Sequence, residues 1–149
     1  STPTLYSLGL KTEIEEMAEL FSEETDVACE YEHRGETAPL SEQMKILLYR
    51  SVRELVVNAI KHSDAEKVNI ISQKNHNSVT ITVMDNGGGF DPSFLEDPAS
   101  GSDGFGLFSI KERLSHMGGE FELEAEPGAG TKVSLSAPLR INSKKQKQE

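Results

Sequence analysis

Apolar residues recur along the chain with two periods, and the switches between them predict eight elements. Ile14, Met17 and Phe21 follow helical spacing and predict a short helix over residues 12–24, with Thr12 and Glu15 at the spacing of a capping box. Val27, Cys29 and Tyr31 alternate as in a strand, and His33 is expected in the loop that follows, on the surface. Ser41 can cap a long second helix reaching about His62, with Leu47, Leu48, Val52, Leu55, Val56 and Ala59 among its apolar positions. Two strands are predicted next, one over 67–72 and one through Val79, Ile81 and Val83, joined by the turn Asn75-His76-Asn77. Residues 86–104 lack any apolar period and are rich in Gly, Pro, Ser and Asp, which is long for a connection in a compact domain. A third helix over 107–117 stops at Gly118-Gly119, and strands over 120–126 and 131–137 flank a turn at residues 127–130. Helices do not separate every strand. That order excludes a doubly wound parallel sheet and predicts an α/β fold with a mixed sheet and helices on one face.

Composition narrows the class. A chain of 149 residues suits one domain. Its 36% hydrophobic and 27% charged residues are ordinary for a globular protein. The single cysteine, Cys29, excludes an internal disulfide framework and fits a reducing compartment. No apolar run approaches the ~20 residues of a membrane span, and no signal peptide is visible, so the expected location is cytoplasmic with no membrane contact. The chain begins Ser-Thr-Pro without a methionine, which points to a piece of a longer protein. The net charge of -10 argues against nucleic acid as a partner. Lys144, Lys145 and Lys147 cluster in the last ten residues, 140–149, which read as a disordered, solvated tail.

Three stretches carry candidate chemistry. In the second helix, Glu54 and Asn58 are four apart and share a face, followed by Lys61 and His62. A solvated helix face explains most of that pattern. The amide of Asn58, however, suits a hard cation such as Mg²⁺, Glu54 suits the positioning or deprotonation of a nucleophile, and Lys61 suits a phosphate. In Met84-Asp85-Asn86-Gly87-Gly88-Gly89-Phe90-Asp91, an acid ends a strand and three glycines follow. An Asp-Asn turn is the plain explanation. The glycines would also let a flat ligand approach the backbone, where the Asp85 carboxylate can accept a hydrogen bond from an exocyclic amine such as that of adenine. Finally, Gly104-Phe105-Gly106-Leu107 opens the third helix, and a glycine-preceded helix start offers N–H groups to phosphate. It matches neither the P-loop nor the full dinucleotide fingerprint.

Together, Glu54-x-x-x-Asn58 with Lys61-His62, the Asp85–Asp91 stretch and Gly104-Phe105-Gly106-Leu107 resemble the N, G1 and G2 boxes of the GHKL ATPase superfamily. That group includes sensor histidine kinases, gyrase-type topoisomerases, a heat-shock chaperone and mismatch-repair ATPases. The closing text GGEFELEAEPGAGTKVSLSAPL looks like the end of a histidine-kinase ATP-binding domain. The text NAIKHS and the opening segment look like the nitrate-sensor-like subfamily. The likeness covers residues 3–139, about the whole chain.

The resemblance implies the Bergerat fold, a two-layer α/β sandwich with ATP held beneath a mobile lid. It implies an ATP-binding catalytic domain over 12–139, residues 1–11 as the linker from an upstream dimerisation domain, and a lid over 90–103. It carries the adenine amine to Asp85, Mg²⁺ to Asn58 and the γ-phosphate region to Glu54. Gly87 and Gly89 would shape the nucleotide wall, Gly104 and Gly106 would hinge the lid with Phe105 and Leu107 between and beside them, Thr131 would lie near adenine, and Lys61 and His62 would meet phosphates. Mg-ATP would donate its γ-phosphate to a histidine on a separate dimerisation domain, for onward transfer to a response regulator. One departure stands out. The acceptor histidine of such kinases is usually followed by an acid, whereas the four histidines here precede Arg34, Ser63, Asn77 and Met117. Two alternatives remain: a stand-alone kinase that phosphorylates serine on a regulatory protein, and a non-catalytic nucleotide-binding or docking module.

Overall fold

The longest apolar stripe in the sequence becomes the helix that organises the fold. The computed structural model describes residues 3–89 and 106–140, with the backbone alone for residues 3–8. In chain order the elements are α1 (Pro3–Glu24), β1 (Ala28–Arg34), α2 (Glu42–His62), β2 (Lys67–Lys74), β3 (Ser78–Asp85), α3 (Leu107–His116), β4 (Glu120–Ala125) and β5 (Thr131–Pro138). Ser41 caps α2 as the sequence predicts, its hydroxyl accepting the Met44 N–H at 3.2 Å. Leu48, Val52 and Val56 of α2 are completely buried. At ~1.5–3 kcal/mol for each such side chain, burial of this stripe outweighs any intrinsic helix preference.

The strands form one sheet in the order β1-β2-β3-β5-β4. β1 and β2 run parallel and every other neighbouring pair is antiparallel. A parallel pair needs a crossover connection, and α2 supplies it. Strand parity separates the two faces. Val68, Ile70 and Ser72 on β2, Val79, Ile81 and Val83 on β3, and Val133, Leu135 and Ala137 on β5 are buried on the inner face. There α1 packs on β1, α2 on β3 and β5, and α3 on β4. The outer face is polar, with the Thr80 and Ser136 hydroxyls 2.9 Å apart across the β3–β5 pair. The expected mixed sheet with helices on one face is therefore observed.

Two expectations change. Helix α1 begins at Pro3 and is broken at Gly9 (φ 82°, ψ 168°), so Thr12 lies inside it and is no N-terminal cap. The capping-box spacing was a coincidence of composition, and helix extends into the segment read as a linker. His33 is not in a loop. It is the sixth residue of β1, half-buried, and its ring bonds to Ser72 and to the Glu36 carbonyl. The tail residues 141–149 and the predicted lid lie outside the described residues.

Candidate nucleotide site

The alternation that buries β3 continues to its last residue. Asp85 has the parity of Val79, Ile81 and Val83, so its carboxylate closes an inward-facing apolar row. On β5, Thr131 does the same for Val133 and Leu135. The two strand ends pair directly, Asp85 with Thr131 and Val83 with Val133. Over this end of the sheet lie the last two turns of α2. Two rows of residues four apart, Leu55-Ala59-Ser63 and Asn58-His62, face the strands. Between helix and strands is a cavity of about 40 Å³, closed by Gly89 and Leu107.

The Asp85 carboxylate is held by its surroundings. Its Oδ1 accepts the Gly87 N–H at 2.8 Å, which is the Asx turn the plain reading expects. Burial pushes the carboxyl above its ordinary value, and the N–H groups of Gly87 and Thr131 and the Ser63 hydroxyl pull it partly back. The Ser63 hydroxyl has one proton, and the Ala59 carbonyl oxygen lies 2.6 Å from it. Its help to Asp85 is therefore shared, and the two backbone N–H groups are the firm donors. Half-buried and hydrogen-bonded, Asp85 offers its remaining acceptor capacity to a ligand N–H in the cavity. Asn86 anchors the loop behind it, its Oδ1 accepting the N–H groups of Glu66 and Lys67 at 2.9 Å each.

The glycines after Asp85 meet the chain's own backbone closely. A Cβ on Gly87 would overlap the carbonyl oxygen and side chain of Ser63, and Gly88 N–H donates to that same oxygen at 2.7 Å. Gly89, at φ 67°, lies equally close to the backbone of Glu126. Gly128 N–H bonds to the Gly88 carbonyl. Gly87 therefore fits chain against chain and does not line the cavity, whereas Gly89 does.

Of the remaining predicted residues, Asn58, His62, Asp85, Leu107 and Thr131 line the cavity. Leu107 is also part of the core. Lys61 is exposed on the last turn of α2 and is not among the lining residues. Glu54 lies outside the cavity. Its carboxylate faces Gly106, which starts α3 at φ 77° and leaves no room for a side chain beside Glu54 Oε1. Gly104 and Phe105 lie outside the described residues. Sequence reasoning missed Ser63. Its signal was available, since it continues the Leu55-Ala59 row by one more step of four.

The donor set bears on a cation. Among the described residues no group of three or more His, Cys, Asp or Glu could hold a metal ion. Mg²⁺ commonly needs only one or two protein oxygens beside substrate phosphates and waters. Asn58, with Glu54 one turn earlier on α2, fits that requirement.

Residues 44–141 match the family described as histidine kinase-, DNA gyrase B- and HSP90-like ATPase. The chain is 30% identical over 135 residues to the signal transduction histidine-protein kinase/phosphatase DegS of Brevibacillus brevis, covering 91% of this chain and 34% of that protein. It is 30% identical over 138 residues to the sensor histidine kinase MctS of Rhizobium johnstonii, covering 93% of this chain and 29% of the relative. The chain thus spans about a third of the length of these relatives. In structure, the ATP-binding domain of PrrB from Mycobacterium tuberculosis superposes with a TM-score of 0.64 at 20% identity, over 89% of this chain and 95% of that one. The blue-light activated histidine kinase of Erythrobacter litoralis superposes with a TM-score of 0.66 at 18% identity, over 94% of this chain and 43% of that one. The strand-end carboxylate, the helix rows that face it and the match over residues 44–141 agree: the chain belongs to the histidine kinase-, DNA gyrase B- and HSP90-like ATPase family, as an ATP-binding domain of the histidine kinase type.

Proposed function

We propose that this domain binds Mg-ATP in the α2–β3–β5 cavity and donates the γ-phosphate to a histidine on a separate dimerisation domain, for transfer to a response regulator. The observation that carries the reading is Asp85. It is a half-buried carboxylate at the end of an apolar strand row, aimed into a cavity whose opposite wall carries Asn58 and His62. An apolar slot ending in one acceptor suits a flat base with an exocyclic amine. Val83, Val133 and Leu55 supply the apolar contact and Asp85 the specific one.

Asn58 would then hold Mg²⁺ alongside the phosphates, and bound Mg²⁺ would neutralise charge on the triphosphate. Glu54, on the same helix and against Gly106, would orient the attacking imidazole or accept its proton. Little covalent chemistry is asked of the domain, because phosphoryl transfer depends mainly on positioning and charge stabilisation. Lys61 is assigned to phosphate contact from the solvent side, and Gly104, Phe105 and Gly106 to the lid hinge.

The test combines binding and transfer. Mg-ATP at ~100-fold above its dissociation constant should stabilise the domain by ~2.7 kcal/mol. Labelled ATP mixed with this domain and a candidate dimerisation domain should yield phosphohistidine, whereas this domain alone should not become labelled. Absence of any thermal shift with Mg-ATP, Mg-ADP or a non-hydrolysable analogue would overturn the proposal.

A further inference from the structure

A second cavity, of about 90 Å³, lies at the opposite end of the helical layer and shares no lining residue with the first. It is reached by Lys45 from the first turn of α2 and by Val79 from the start of β3, whereas the nucleotide cavity uses the far ends of both elements. Leu10, Ala38 and Leu40 supply apolar lining from outside the sheet, and Val79 and Ile81 supply it from β3. Beside them on the same sheet face are Tyr31 and His33 of β1 and Ser72 of β2, with Lys11 and Lys45 also in the lining. No acidic residue lines it, in a chain with 25 acids against 15 lysines and arginines. Lys45 and Lys11 pair with Glu42 at 3.1 Å and Glu15 at 4.0 Å. Exposed pairs of this kind hold only weakly, so both ammonium groups can turn to a ligand.

The polar row has a direction set by chemistry. His33 Nε2 lies 2.8 Å from the Glu36 carbonyl, which only accepts, so Nε2 carries a proton. In neutral His33, Nδ1 is then an acceptor, and the Ser72 hydroxyl, 2.6 Å away, donates to it. The Tyr31 hydroxyl, 2.7 Å from Ser72 Oγ, must donate to Ser72. The row therefore runs from Tyr31 through Ser72 to His33 and turns oxygen lone pairs toward the cavity. When His33 gains a proton, Nδ1–H donates to Ser72, Ser72 donates to Tyr31, and the Tyr31 O–H is released toward the cavity. Only one proton enters, and the two hydroxyls simply rotate.

We propose that this cavity binds a small aliphatic carboxylate, of about two to four carbons by volume, with uptake of one proton by His33. The carboxylate meets Tyr31 O–H and the Lys45 and Lys11 ammonium groups, and the alkyl part lies on Ala38, Leu40 and Val79. Lys11 of α1 and Lys45 of α2 share the cavity lining with His33 and are paired to Glu15 and Glu42, while Glu32 and Arg34 flank His33 on β1. The site borders the α1 break at Gly9.

The protein is titrated with sodium acetate, propionate and butyrate against matched sodium chloride, reading thermal shift and the NMR signals of the His33 ring and Ala38 methyl. Binding should saturate, tighten about fourfold per added methylene and strengthen as pH falls, because a proton is taken up with the ligand. Lys45→Met and Ala38→Leu should each weaken it about tenfold, the first by removing a cation, the second by filling the cavity. His33→Gln should remove its pH dependence. Far-UV circular dichroism confirms folding, and Lys45→Met, which changes a partly exposed side chain, serves if Ala38→Leu does not fold. A response equal to that of chloride, or one unchanged by Lys45→Met, overturns the site. Affinity independent of pH overturns the coupled proton.

Discussion

The carbonyl oxygen of Ser63 occupies the space that a side chain on Gly87 would need, and the next N–H, of Gly88, bonds to it at 2.7 Å. This contact ties the end of α2 to the loop that follows Asp85, and so fixes the distance between the two walls of the proposed nucleotide cavity. Gly87→Ala must move one wall, because the obstacle is backbone. Forcing a methyl into such a contact costs ~1–3 kcal/mol, which for a domain of this size lowers the Tm by ~2–12 °C. Thermal denaturation checks the stability, and nucleotide affinity should fall with it. A wild-type Tm would show that the contact yields freely.

Asp85→Asn should leave folding intact and weaken adenine nucleotides. Loss of a hydrogen bond to a charged acceptor is worth ~1.5–3 kcal/mol, or ~10–100-fold in affinity. The pH dependence has a definite sign. Burial raises the folded-state pKa of this carboxyl above its unfolded value. The charged form therefore burdens the folded state at pH above the raised value, and that burden is relieved as pH falls through it. Nucleotide affinity runs the other way and drops over the same interval, since a protonated Asp85 loses acceptor capacity. Titration calorimetry at falling pH should show this drop in the native protein and a smaller one in Asp85→Asn.

Glu54 and Gly106 should prove coupled. Alanine at position 106 must adopt φ near 77° and places its methyl against Glu54 Oε1. The left-handed conformation alone costs ~1–2 kcal/mol. Glu54→Ala removes the obstacle but not the backbone strain. A double-mutant cycle by chemical denaturation should therefore give an interaction energy of ~0.5–3 kcal/mol. Strict additivity would show that the Glu54 side chain swings clear.

Asn58→Asp tests the metal assignment. It exchanges an amide for a carboxylate beside the phosphates, keeps an oxygen ligand and adds a negative charge. The dependence of nucleotide binding on Mg²⁺ should change, with Mg²⁺-free nucleotide weakened most through charge repulsion. The same Mg²⁺ titration curve in both proteins would remove Asn58 from the cation.

Cys29 should be inert in the folded protein. Burial and the neighbouring Glu30 push its thiol up to about 11, so almost no thiolate exists at neutral pH. An alkylating reagent should label it only after denaturation. Rapid native labelling would mean that β1 opens readily.

Much of this domain was legible in the order of its residues. The period-2 rows of Val79, Ile81 and Val83 and of Val133 and Leu135, the long stripe on α2 and the Ser41 cap are local signals, and each element they predict exists. The parity of β3 even implied that Asp85 points inward. The family was legible too, because the stretches around Glu54, Asn58, Asp85 and Gly106 are short and recognisable. Spacing alone could not say which glycine faces a ligand and which faces its own chain. Gly87 answers to Ser63 and Gly89 to Glu126, partners 24 and 37 residues away. Nor could it show that His33 and Ser72, 39 residues apart, meet across a parallel strand pair. Local pattern determines which elements form and which face each one buries, because those depend on near neighbours along the chain. Close approach of backbone to backbone, the hydrogen bonds around Asp85 and the direction of the Tyr31-Ser72-His33 row are decided only when the sheet register and the crossover of α2 bring distant segments into contact.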